Sequence, residues 1–220
     1  MKSIVRLLFV VLFGFSYAQN KQDVGEFNIL EVYDKLTVEL IHSNANFIEI
    51  RGNKAESVEF INKNKRLKIR MKIDQFLQGD DTKVIVYYTH LNQIYANEGS
   101  QVSSNEILST PSLVLNSKEG ARIELEVETN ALDIKTNSGG WVVATGKSNS
   151  QTVVSIAGGI YDGEGLKTKT TTVTVNAGGE AKVFATDYVN AKTRAGGNIH
   201  IFGGAKVDQK TMAGGNIHIH

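Results

Sequence analysis

The chain has 220 residues, 41% hydrophobic and 21% charged, which is enough apolar content for a folded core and too ordinary a charge for general disorder. Its 24 Lys and Arg against 23 Asp and Glu leave a formal charge of +1, so the whole-chain balance excludes the broad basic surface of a nucleic-acid binder. The absence of Cys excludes disulfide scaffolds and Cys-based zinc, redox or nucleophilic sites.

In chain order, Met1 to Asn20 reads as a secretory signal. Lys2 and Arg6 flank its start, the apolar run Leu7 to Phe15 follows, and Ser16-Tyr17-Ala18 has the small-x-small form of a cleavage site. Residues 1–18 are therefore expected to be removed after Ala18. The run falls short of the roughly 20 apolar residues of a spanning helix, and no Cys follows it to carry lipid. An exported protein is expected, periplasmic, outer-surface or extracellular, with no transmembrane segment after cleavage.

Residues 19–91 read as an N-terminal β module. Phe27 to Val32, Leu36 to Leu40, Phe47 to Ile50, Leu67 to Ile73 and Lys83 to Tyr88 alternate apolar and polar side chains, the period of strands with one wet face. Ser43 to Asn46, Gly52-Asn53, Asn62 to Lys65 and Gln78 to Asp81 carry turn chemistry between them.

Residues 92–220 repeat. Of the 21 glycines, 17 fall from Gly99 onward, and the first glycines of seven turns stand at 99, 120, 139, 158, 178, 196 and 214, spaced by 18 to 21 residues. Third and fifth after them come Val102/Ser104, Ile123/Leu125, Val142/Ala144, Tyr161/Gly163, Ala181/Val183, Ile199/Ile201 and Ile217/Ile219, which are expected to point inward. Five and three before them come pairs such as Leu115/Ser117, Val153/Ser155 and Ala191/Thr193, so small inner residues recur and the core should be thin. A coil of this length cannot bury its own apolar face and must stack on the next at about 4.8 Å. The fold class expected is all-β, a parallel β-helix or β-solenoid with the N-terminal β module packed on one end. Left-handed hexapeptide helices are excluded, because spacings of 19, 20 and 21 break the hexad.

Stacking aligns outward residues, so candidate chemistry lies in columns. Four after the glycines stand Ser103, Glu124, Val143, Asp162, Lys182, His200 and His218; six after them stand Asn105, Glu126, Thr145, Glu164, Phe184, Phe202 and His220. Three features follow. His200, His218 and His220 converge and are the one candidate metal cluster, although imidazoles two apart on a strand make a loose geometry with no neighbouring carboxylate. Glu124/Glu126 and Asp162/Glu164 are carboxylate pairs of the kind glycosidic chemistry uses, without a visible cleft to exclude water. Lys135, Lys192, Arg194 and Lys210 form one basic stripe, and Lys54, Lys63, Lys65, Arg66, Lys68, Arg70 and Lys72 another, suited to acidic glycan or to keeping sheet surfaces soluble. Trp141 and Ile160 are expected at exposed corners as a contact patch. The glycines form neither a phosphate loop nor a dinucleotide fingerprint, and the Gly-x-Asp nonapeptide of calcium-binding rolls is absent.

The signal, the segment Phe27 to Ile73, and the corners ending in Gly196-Gly197-Asn198-Ile199-His200-Ile201 and Gly214-Gly215-Asn216-Ile217-His218-Ile219 together resemble the putative auto-transporter adhesin, head GIN domain family of Bacteroidetes-type exported proteins. The resemblance covers about residues 26–220 as one adhesin-head-like domain. It implies a right-handed β-helix similar to pectin-lyase-like proteins, no established catalytic residues and a role in cell adhesion. The chain departs from the pattern with Glu-Gly-Ser and Glu-Gly-Ala at its first two corners. The reading is thus an exported, non-enzymatic surface or envelope protein, with no catalytic, cofactor-binding or metal residue assigned and no cofactor. Its expected partner is a cell-surface glycan or protein, or a second copy through the C-terminal solenoid edge; the alternative is a carbohydrate-active β-helix enzyme, a polysaccharide lyase or glycoside hydrolase.

Overall fold

Strands that alternate apolar and polar side chains must lay their apolar face on another layer, and in the computed structural model they do so as a stack of coils. The structure describes residues 21–220, so the expected signal at residues 1–18 lies outside the described residues. Among the described residues there is no α-helix, and two 3-10 turns, Ala55–Ser57 and Ile73–Gln75, separate strands.

The N-terminal segment supplies β1 (Lys21–Asp23), β2 (Ile29–Val32), β3 (Thr37–His42), β4 (Phe47–Gly52), β5 (Val58–Lys63), β6 (Arg66–Met71) and β7 (Thr82–Tyr88). The repeating part begins with β8 (Gln93–Ala96), β9 (Gln101–Ser104), β10 (Leu108–Ser109) and β11 (Ser112–Lys118). Four long bent strands follow, β12 (Arg122–Asn137), β13 (Trp141–Ile156), β14 (Ile160–Asn176) and β15 (Glu180–Arg194). The stack ends with β16 (Asn198–Phe202), β17 (Lys206–Met212) and β18 (Asn216–Ile219).

From β8 onward every pairing is parallel and joins one coil to the next, so the expected β-solenoid is the fold. Val102, Ile123, Val142, Tyr161, Ala181 and Ile199 form one inward column, and all are buried. Ile94, Leu115, Ile134, Val153, Val173 and Ala191 form the column facing them. Both columns follow the glycine register.

The N-terminal segment sits at one end of the stack and is made of the same coils, threaded out of sequence. β2 pairs in parallel with β6 on one side and β8 on the other, while β3 pairs with β7 and β9. The β2–β3 coil is therefore inserted between the later β6–β7 coil and the first coil of the repeat. Residue 91 marks no break in the sheet, since Leu30 lies between Leu67 and Ile94. Beyond β6 and β7 the stack is closed by antiparallel strands, β5 on β6, and β4 then β1 on β7.

The corners need more than a glycine pair. Ser138 and Gly139 are both left-handed, with φ of 49° and 74°, and Gly140 N–H donates to Asn137 O at 2.9 Å, the signature of a type I′ turn. A non-glycine residue thus takes the first left-handed position in every one of these corners, from Glu98 to Ala213. A Cβ on Gly139 would meet nothing within 4 Å, but one on Gly140 would lie 2.1 Å from Ser117 O of the preceding coil. The first glycine answers a dihedral, and the second answers a close approach.

Candidate functional site

The column four after each glycine forms as expected, with Glu124, Val143, Asp162, Lys182, His200 and His218 in successive register. The column six after it does not run through. Bulges between Val143 and Gly146 and between Gly163 and Lys167 interrupt it, because the coils there are longer than their neighbours. Glu126 still opposes Thr145, and Phe184 opposes Phe202, on either side of the break.

Among the described residues, three of the four carboxylates of the acidic pairs, Glu124, Asp162 and Glu164, are engaged with cations, and Glu126 is not. Lys182 Nζ lies 3.6 Å from Asp162 and 3.9 Å from Glu164, and Arg122 donates to Glu124 at 3.0 Å. Arg122 also lies 3.9 Å over the Trp141 ring, so the exposed Trp carries a guanidinium on one face. Trp141 stands beside Ile160 in the next coil, but Ile160 is half-buried, so of the expected exposed pair only Trp141 is exposed.

The three histidines come together as stacked plates. His200 and His218 have ring centroids 4.7 Å apart with 17° between planes, and His200 Nδ1 is 3.1 Å from His220 Nε2. Phe202 stacks on His220 at 4.5 Å. Among the described residues no three His, Asp or Glu side chains form a metal-holding group. Burial, then the neighbouring His218 and His220, hold the His200 imidazole below its usual pKa.

The N-terminal basic stripe is largely paired locally. Lys65 meets Glu26 at 3.4 Å, Arg70 meets Glu59 at 3.3 Å and Arg66 meets Glu31. Lys68 sits 4.3 Å over the Tyr33 ring, and Lys54 donates to Gln78 at 2.7 Å.

A concave surface lies on the side of the coil away from the glycine corners, where the long strands bend. A trough of about 670 Å³ runs across successive coils there, lined by Ser109 to Pro111, Glu128 to Asn130, Lys147 to Asn149, Lys167 to Lys169 and Thr186. A second hollow of about 700 Å³ meets it at Ser109 to Pro111 and continues past Asn92, His90 and Tyr88 to Lys65 and Glu26.

The bends hold their shape through short polar side chains. The hydroxyls of Thr129, Ser148 and Thr168 donate to the main-chain oxygens of Ala131, Ser150 and Phe184, at 3.1, 2.7 and 2.6 Å. Above them Asn149 donates to Asn130 at 3.0 Å, and Glu128, Lys147 and Lys167 stand in one column, with Glu128 and Lys147 paired at 2.9 Å. Lys167 and Lys169 make no ion pair with the described residues. The trough therefore offers amides and two lysines to a hydrophilic ligand. Sequence reasoning passed over it, although the recurrence of Lys147-Ser148-Asn149 as Lys167-Thr168-Lys169 one coil later was a usable signal.

Residues 26–205 match the family model described as "Putative auto-transporter adhesin, head GIN domain". Among solved structures, a putative adhesin from Bacteroides fragilis is 18% identical, with a TM-score of 0.81 over 91% of this chain and 95% of its own. A putative adhesin from Parabacteroides distasonis is 20% identical, with a TM-score of 0.75 over 91% and 95%. A putative lipid binding protein from the same organism is 13% identical, with a TM-score of 0.68 over 90% and 94%. At such identities the likeness is one of fold. No curated protein matches the chain.

Proposed function

The chain belongs to the putative auto-transporter adhesin, head GIN domain family, and from that premise we propose that it is an exported, non-enzymatic surface or envelope protein that binds a cell-surface glycan along the solenoid. The observation that carries this reading is the trough across the bends, where Asn130, Asn149 and Lys169 follow one another from coil to coil beside the column of Lys147 and Lys167. A ligand with repeating polar units and acidic groups satisfies those amides and lysines in register, each coil adding one more contact. The lining side chains, all polar or charged except Pro111, favour such a ligand over the acyl chain of a lipid, despite the lipid-binding description of one structural neighbour.

A non-enzymatic role fits the placement of the acidic pairs. Asp162 and Glu164 lie outside the trough and share Lys182, whereas a glycosidic acid and base must flank a bound sugar. No helix among the described residues is long and apolar enough to cross a membrane.

The test is a glycan array and a polysaccharide-depolymerisation screen on the chain from residue 19. Saturable binding of an acidic glycan without product is expected, with K167E/K169E weakening it about tenfold or more and Asp162→Asn leaving it unchanged. New reducing ends or unsaturated products, lost on replacing Asp162 or Glu164, would sink the reading in favour of a carbohydrate-active enzyme.

A further inference from the structure

The last coil of the described stack leaves one strand on each face with an open edge. β17 pairs with β15 on one side and with no described strand on the other, and β18 likewise pairs only with β16. Asn216 N–H and His220 N–H donate back to Gly197 and Ile201, so the intervening Ile217 and Ile219 direct their main-chain groups to the open side. The inner columns run out into this end, where Val207 and Ile217 are partly covered and Ile219 is 56% exposed. At the opposite end, β5, β4 and β1 already cover the stack with antiparallel strands, two on one face and one on the other. Only the β17–β18 end is level.

We propose that this end is an interface between two copies of the chain, joined by antiparallel pairing of β17 with β17 of the second copy about a two-fold axis at Gln209. Gln209 is the midpoint of β17, so this register pairs all of Lys206–Met212. Outward-facing residues of the strand are Lys206, Asp208, Lys210 and Met212, while Val207, Gln209 and Thr211 continue the inward columns of Val189, Ala191 and Thr193. Centring on Gln209 sets Asp208 opposite Lys210 of the second copy, twice by symmetry, and lays Val207 against Thr211 within the closed core. Centring on Asp208 or Lys210 instead opposes like charges.

Lysines on an edge strand ordinarily discourage pairing. Here Asp208 between Lys206 and Lys210 makes the edge complementary to itself in this register. The proposal is independent of the glycan reading, since β17 lies outside the trough.

Sedimentation of the chain from residue 19 across a wide concentration range should show a monomer–dimer equilibrium. D208K and K210D should each be monomeric alone, with the wild-type far-UV spectrum. Mixed together they should form a heterodimer, because at positions 208 and 210 one strand then carries two lysines and faces two aspartates on the other. Q209C introduces the only Cys and should oxidise to a disulfide-linked dimer, since opposed residues lie about 4.5 to 5.5 Å apart. A wild-type chain that stays monomeric to about 1 mM overturns the proposal. So does a dimer indifferent to both single swaps, or a Q209C chain that does not cross-link.

Discussion

At the N-terminal end Leu30, Leu36, Leu40, Ile48, Leu67, Ile69 and Met71 fill the core, whereas between Val142 and Ala191 the buried apolar side chains are Val and Ala apart from Tyr161 and Leu166. Val142, Ala144, Ala181, Val183, Ala185 and Ala191 line those later coils. The contrast follows from how each end is assembled. The β2–β3 coil must be held between strands that come more than thirty residues later, so its closure is long-range and large side chains offset the entropy of bringing those segments together. Each later coil is laid on a finished one, where a full ladder of backbone hydrogen bonds and a narrow layer of small side chains suffice.

The comparison can be broken first at its thick end. Leu67→Ala removes a fully buried side chain opposite Leu30, and chemical denaturation should show a loss of about 2–5 kcal/mol. If the same truncation at Val183 cost as much, the distinction between the ends would fail. Next come the corners. Gly140→Ala drives a Cβ into Ser117 O and should cost about 3 kcal/mol, against about 1 kcal/mol for Gly139→Ala, which has open space and only an unfavourable φ. Equal losses in thermal melts would show that close approach to the preceding coil does not set the second glycine apart from the first.

Tyr161 sharpens the comparison within the thin part. It fits because Gly163, two residues on, has no Cβ to meet its hydroxyl, and it donates to Gln151 Oε1 at 2.7 Å. Gln151 donates in turn to Thr171, and Thr171 lies 3.0 Å from the Thr168 hydroxyl. Burial pushes the Tyr161 phenol far above its usual pKa, so it stays a neutral donor. Tyr161→Phe leaves Gln151 Oε1 without its donor and should cost about 1–3 kcal/mol by denaturant titration.

The smallest effect belongs to the terminal histidines. The folded pKa of His200 lies below its ordinary value near 6.5, so its contribution is complete above about pH 6.5 and is lost as pH falls through the lowered value. Melting temperature should decline modestly between about pH 7 and 5, and His200→Gln should flatten that slope. A slope unchanged in His200→Gln would assign the decline to other groups.

The glycine register made the later coils legible: it placed Ile123, Val142 and Ile199 inward and Asp162, Lys182 and His200 in one outward column, as the strands are in fact paired. It was blind to the β2–β3 coil, whose corner is Asp34-Lys35, two non-glycine residues at φ of 60°. That corner is held by contacts from far along the chain, the Asp34 carboxylate accepting from Met71 N–H at 3.0 Å and Leu77 N–H at 3.3 Å. The trough escaped for a related reason. Bulges shift the register in the β13–β14 and β14–β15 pairings beyond Val143 and Gly163, so columns drawn at constant offset do not run through to the bends.

What the sequence by itself determined is the repeating part, because alternation and a turn every 18 to 21 residues are local properties that stacking merely repeats. The order of the first coils and the depth of the trough were decided by tertiary structure. Each depends on which distant segments come to lie side by side, and no local pattern of residues carries that information.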